Sequence, residues 1–190
     1  MQHKPSVSTK ELFEAQQHYF NVTYDRWIND VLFSFHWWFL LLIMIVPLFI
    51  WWKWLDKTRI MEIVWVGLLI GLLATFLDIV GISLSVWTYN YTLIQFFPAL
   101  SPVNFSLLPV SYMLLYQWVP KWRSFIILLT FAAAFGAFLA EPLFIRMNLY
   151  DQTWWKHIYS FPIYIAMGVG VKALAMKMKS IQEHHRKEKE

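Results

Sequence analysis

The chain has 190 residues, 58% hydrophobic and 15% charged, with 12 Trp, 16 Phe and no Cys. These proportions exclude an ordinary water-soluble domain, and the missing thiols exclude disulfides, thiolate metal sites and cysteine nucleophiles. A net charge of +4 suits a basic segment beside anionic lipid, so membrane lipids are the expected partner and nucleic acid is not.

The first 30 residues are polar and lack an apolar core followed by a small-residue cleavage site, so the first apolar stretch is expected to be retained. Within them STKELFEAQQHYF opens as a helix, with Ser8 or Thr9 as cap, an early Glu11, and Leu12, Phe13, Gln16, Tyr19 and Phe20 along one mostly apolar stripe. A short amphipathic anchor on the membrane surface accounts for that stripe, and a partner-binding helix is the competing reading.

Beyond residue 30, five apolar stretches each approach the roughly 20 residues needed to cross a bilayer. They lie near residues 32–54, 61–84, 104–120, 123–145 and 158–177. The predicted fold is an all-α integral membrane bundle of five transmembrane helices spanning residues 31–177, preceded by segment 1–30 and followed by a charged tail, 178–190. Trp37, Trp38, Trp51, Trp52, Trp54, Trp87, Tyr89, Tyr91, Trp118, Trp122, Trp154 and Trp155 fall at span ends or in short loops, where amphipathic rings favour the interface. Pro47, Pro109, Pro142 and Pro162 lie inside spans and free backbone carbonyls there. The tail IQEHHRKEKE buries nothing and is expected to fray. Its adjacent His184 and His185 point in different directions, which argues against a metal site.

Basic residues set the expected orientation. Lys53, Lys57, Arg59, Lys121, Arg123, Lys172, Lys177, Lys179, Arg186, Lys187 and Lys189 fall on one side, against Lys4, Lys10, Arg26, Arg146 and Lys156 on the other. The positive-inside rule then places the N-terminus outside and the C-terminus in the cytoplasm, in a cell membrane.

Chemistry concentrates on two acids. Asp78 and Glu141 are the carboxylates well inside apolar runs, and an ionisable group at membrane depth costs about 2.5 kcal/mol or more unless it faces protein or water. Gly67, Gly71, Ala74 and Asp78 share one face of the second span, with Gly67-x-x-x-Gly71 permitting close approach; Thr130, Ala134, Ala137 and Glu141 form a comparable face on the fourth. Each acid lies roughly 25 Å along its helix, at one depth near the outer leaflet. His36, Asn104, Ser111, His157, Tyr159 and Ser160 converge on the same level, which makes a polar pocket the candidate site. Trp87 and Tyr89 are candidate ligand-lining aromatics. The alternative is that both acids are structural, hydrogen-bonding across helices near Gly81 and Pro142.

The sequence contains no H-E-x-x-H, G-x-S-x-G, P-loop or Gly-rich dinucleotide turn. No catalytic residue, metal ligand or cofactor is therefore assigned. Asn21, Asn90 and Asn104 begin N-x-[S/T] sequons.

Two resemblances enter on specific residues. The run DRWINDVLF, WWFLLLIMIVPLFIWWKWLDKTRIMEI, LDIVGISLSVWTYNY, LLPVSYMLLYQW, AEPLFIRMNLY and WWKHIYSFPIY, over roughly residues 25–170, resembles a family of small multi-pass membrane proteins of Gram-positive spore formers to which no activity is attached. Asp78, Gly81, Trp87 and Tyr89, followed by Leu108 and Pro109, are similar to the membrane-embedded lycopene cyclase domain, in which an aspartate is followed by a tryptophan nine residues on and by a P-x-E-E motif. Ser111 and Tyr112 stand where that motif has its acids, so this resemblance implies a shared fold and not polyene protonation.

The leading functional expectation is a non-enzymatic membrane protein that binds or passes a small or lipid-like ligand. Its rivals are a membrane enzyme acting on an isoprenoid or other lipid through Asp78 or Glu141, and a structural subunit of a homo- or hetero-oligomeric complex.

Overall fold

The computed structural model describes residues 7–187. Helix α1 (Thr9–Arg26) begins with a capping box: the Glu11 amide donates to Ser8 Oγ at 3.2 Å and the Ser8 amide donates to Glu11 Oε2 at 2.7 Å. None of its residues is buried, and Leu12, Phe13 and Phe20 stand out from the bundle. A π-helical turn, Trp27–Val31, and Phe33 in the left-handed region lead to Ser34, whose hydroxyl caps α2 (Phe35–Trp54).

Helix α3 (Ile60–Ser83) follows a short connection, then α4 (Leu108–Trp118), α5 (Trp122–Phe135), α6 (Glu141–Arg146) and α7 (His157–Lys187). The core lies where α3, α4, α5 and α7 meet, around Ile63, Val66, Ile70, Met113, Phe125, Leu129 and Val171. Helix α2 is peripheral, with Leu40 as its one buried residue.

Among the described residues, four helical stretches are long and apolar enough to cross a membrane: Phe35–Trp54, Lys57–Ser83, Trp122–Arg146 and His157–Arg186. The expected third span is not among these four. Its helical run covers residues 101–118, with the π-helical Val103–Leu107 leading into α4, or about 27 Å at 1.5 Å per residue. The chain leading to it has already entered the bundle, since Ala99, Leu100, Ser101 and Asn104 are all buried. The backbone there is shielded by protein.

Gly71 permits this arrangement. A Cβ at that position would lie 3.1 Å from the Asn104 carbonyl, so the α3 backbone and the Val103–Leu107 turn meet without a side chain between them. The expected face of α3 is buried at Gly67, Gly71, Ala74 and Asp78. On α5 the buried residues are Phe125, Leu129 and Ala133, followed just beyond it by Ala137, whereas Thr130 and Ala134 are half-buried. Constant 3.6-residue phasing from Glu141 misassigns that face because a π-helical segment, Gly136–Ala140, intervenes and rotates what precedes it.

The helices are supplemented by a small sheet. Strand β1 (Trp87–Tyr89) pairs antiparallel with β2 (Tyr150–Gln152), in the register Trp87↔Gln152, Thr88↔Asp151 and Tyr89↔Tyr150. Ser85 and Asn148, both at positive φ, turn the chain into these strands. Helix α7 continues through Lys187, so the described part of the charged segment from residue 178 is helical.

Candidate functional site

Asp78, on the last turns of α3, is 6% exposed and accepts four hydrogen bonds. Trp87 Nε1 (2.8 Å) and the Tyr89 hydroxyl (2.7 Å) reach one oxygen, while the Leu100 amide (2.8 Å) and Asn104 Nδ2 (2.7 Å) reach the other. Four donors and no acceptor is the partner set of a carboxylate. Strand alternation supplies two of them, because Trp87 and Tyr89 point the same way while Thr88 between them faces out. The nine-residue spacing from Asp78 to Trp87 has a geometric cause: the chain turns after α3 and lays the indole over Gly81, where a Cβ would overlap the ring. Burial, then the charge of Asp78, pushes the Tyr89 phenol well above its ordinary range and keeps it a donor.

Glu141 begins α6 directly after the π-helical segment. Its Oε1 accepts from the Tyr164 hydroxyl at 2.7 Å and its Oε2 from His157 Nδ1 at 2.8 Å, both on α7. The Tyr164 ring packs against Gly136, where a Cβ would make ordinary van der Waals contact at 3.4 Å. Each Glu141 oxygen thus receives one donor and has capacity for another. Asp78 has none to spare.

Both acids line one cavity of ≈ 480 Å³. Helix α3 packs on α4 and α7, and α5 packs on α4 and α7, which leaves a cleft between α3 and α5. Leu108, Leu115, Ala133, Ile163 and Met167 form apolar wall, while Asp78, Asn104, Glu141, Tyr150, Gln152 and Tyr164 form polar wall. Four other lining residues, Leu77, Val80, Leu84 and Phe135, are exposed on the outer surface. The cavity therefore opens on an apolar flank of the bundle.

Asn104, Ser111, Trp87 and Tyr89 line this cavity. Asn104 is committed to Asp78, and the Ser111 hydroxyl donates back to the Leu107 carbonyl at 2.7 Å. His157 holds Glu141 without being part of the lining. His36 stands apart: its Nε2 donates to the Met147 carbonyl at 2.9 Å and its ring stacks on Tyr91 at 4.0 Å. Tyr159 also lies outside the cavity, exposed and edge-on to Trp155 at 5.5 Å. Ser160 accepts from Trp155 Nε1 at 2.9 Å.

The sequence reading missed Tyr164, Tyr150, Gln152 and the Leu100 amide. Tyr164 carries a signal, one helical turn beyond Ser160 on the face that receives Glu141. The Leu100 amide carries none, because a loop's backbone donor has no residue signature. Among the described residues no group of three or more His, Cys, Asp or Glu is placed to hold a metal ion. Compared with known protein families, with curated proteins and with solved structures, the chain matches none.

Proposed function

We propose that this is an integral membrane protein that binds, or passes, a small apolar or lipid-like ligand through the cavity between α3 and α5. The observation that carries the proposal is the cavity itself: ≈ 480 Å³, apolar over most of its wall, with a few convergent polar groups, as small-molecule sites typically are. Its opening lies where lipid tails would contact the bundle, so a membrane-dissolved ligand could enter without crossing water. In this reading the chain crosses the membrane five times, with the short α4 segment as a protein-shielded crossing and α1 at the outer interface. The N-terminus is then outside and the C-terminus cytoplasmic.

A membrane enzyme acting on an isoprenoid or other lipid is the second reading. One observation favours it: Glu141 pairs with a histidine, the arrangement in which a proton could be held or moved. Asp78 is a poor acid for such chemistry because all its acceptor positions are occupied. The similarity to the lycopene cyclase domain extends in this proposal to the fold alone.

Gentle purification followed by mass spectrometry of bound small molecules tests the proposal. Wild-type protein should retain a lipid-like compound that is lost in Ala133→Trp, whose indole would fill the cavity from α5. Equal recovery from folded wild type and variant would overturn the cavity reading.

A further inference from the structure

We infer that the ligand of this cavity is an organic cation with an apolar body, its positive charge held by aromatic faces and the Glu141 carboxylate. This rests on the ligand-binding proposal above and adds the ligand's charge.

The hydrogen-bond donors of the wall are largely spent within the protein. Trp87 and Tyr89 donate to Asp78, Tyr164 to Glu141, Trp155 to Ser160, and Tyr112 to the Tyr164 carbonyl. Among the described lining residues, Tyr150, the exposed Trp154 and Ser160, whose hydroxyl accepts from Trp155, make no such donation. A phosphate or carboxylate entering here would leave its water and find few donors in exchange, which is unfavourable for a charge.

What the wall does offer suits the opposite sign. Among the described residues, two carboxylates line the cavity and no Lys, Arg or His does. With their N–H groups committed, Trp87 and Trp155 present ring surface, their centroids 5.2 Å apart at 76°. The Tyr89 and Tyr150 rings follow at 5.9 Å. Aromatic faces attract cations, most strongly where water is excluded, and are a recurrent means of recognising quaternary ammonium groups. Glu141 supplies the countercharge, because each of its oxygens can take a second contact. The apolar wall of Leu108, Leu115, Ile163 and Met167 takes the body of the molecule.

Tetraphenylphosphonium and tetraphenylborate are close in shape and opposite in charge, so they isolate the sign. Their binding to the full chain in a neutral detergent would be measured by equilibrium dialysis, with Ala133→Trp defining the fraction bound in the cavity. The cation should bind there at least about tenfold more tightly than the anion. Glu141→Gln should remove about tenfold of that affinity while leaving the anion unchanged, and Glu141→Asp, which keeps the charge, should retain the preference. Cavity binding of the borate as tight as that of the phosphonium overturns the inference and leaves the cavity proposal intact. Phosphonium binding that survives Glu141→Gln at full strength also overturns it. If neither ion binds in an Ala133→Trp-sensitive way and no compound co-purifies, both the inference and the proposal fail.

Discussion

Asp78 and Lys172 hold opposite ends of one short helical segment. At its entry Asp78 accepts from the Leu100 amide and the Asn104 side chain. At its exit Lys172 Nζ donates to the carbonyls of Val119 (2.8 Å) and Pro120 (3.2 Å), over the Phe125 ring at 3.9 Å. A negative group at the N-terminal end and a positive group at the C-terminal end are the signs that the helix dipole favours. Both also satisfy backbone groups at the ends of the segment. The segment is thereby fixed from both ends by the helices around it.

Unhooking either end should loosen that end first. Lys172→Met should cost about 1 kcal/mol by removing the donor shared by the Val119 and Pro120 carbonyls. It should raise amide hydrogen exchange from Leu115 to Trp118 before Leu108 to Tyr112. Asp78→Asn should show the reverse order. Uniform exchange along α4 in both variants would mean that the ends are not independently held.

Gly81 and Gly71 make separate contributions. Gly81→Ala should displace the Trp87 indole from Asp78 and change tryptophan fluorescence, since the added methyl would occupy the ring's position. Gly71→Leu should lower the melting temperature in detergent by pushing α3 off the Asn104 carbonyl. Leu68→Ala, on the exposed face at 62%, should change it little. Equal melting temperatures for the Gly71 and Leu68 variants would put the wrong face inside.

The buried stripe of α3 was legible in the sequence because helical periodicity continues unbroken from Gly67 to Asp78. The stripe of α5 was not, since the π-helical segment at Gly136–Ala140 has no clear residue signature, and the phase taken from Glu141 carried the error back to Thr130. Asp78 and Glu141 stood out because acids are costly in apolar runs. Their partners were harder to identify: Trp87 and Tyr89 read as interface anchors until a strand directs both toward Asp78. His36 and Tyr159 reached the right depth by counting residues, but depth along a helix does not give the direction of a side chain.

The ribbon offers a test of chain direction in this cysteine-free sequence. Thr88 and Asp151 are paired across it and both face outward. Cα atoms in such a pair lie about 5.5 Å apart, within disulfide reach. Thr88→Cys with Asp151→Cys should therefore oxidise readily in membranes, and shifting one partner to Thr92→Cys should abolish this. Absence of the crosslink would separate the two loops and with them the proposed topology.

At the far end of the bundle, the Asp56 carboxylate accepts from Thr58 Oγ1 at 2.6 Å and from Arg59 Nε at 2.9 Å. The Thr58 hydroxyl first, then Arg59 and the Thr58 amide, lower its pKa from 3.8 to about 2. Because the folded value lies below the unfolded one, the contribution to stability is present above pH 3.8 and is lost as pH falls toward about 2. Carbon-13 titration of the carboxyl should give a midpoint near that lower value, and Thr58→Ala should move it upward. An unshifted midpoint in the wild type would show that the connection between α2 and α3 is not ordered by these bonds.

The two acids should separate by phenotype. Asp78 receives four donors and Glu141 two, so replacing each carboxylate with its amide strands different numbers of partners. In Asp78→Asn the amide oxygen can serve two donors while its NH₂ confronts the others, for an expected cost of about 3 kcal/mol or more. In Glu141→Gln a flipped amide leaves one of two donors unserved, and His157, partly exposed, can turn to water; the expected cost is about 1 kcal/mol. Glu141→Gln should therefore fold and lose ligand affinity, whereas Asp78→Asn should lose stability first and affinity only as a consequence. Unfolding midpoints and binding measured on the same preparations distinguish these outcomes. Equal destabilisation by the two substitutions would make Glu141 a structural acid and remove it from the site.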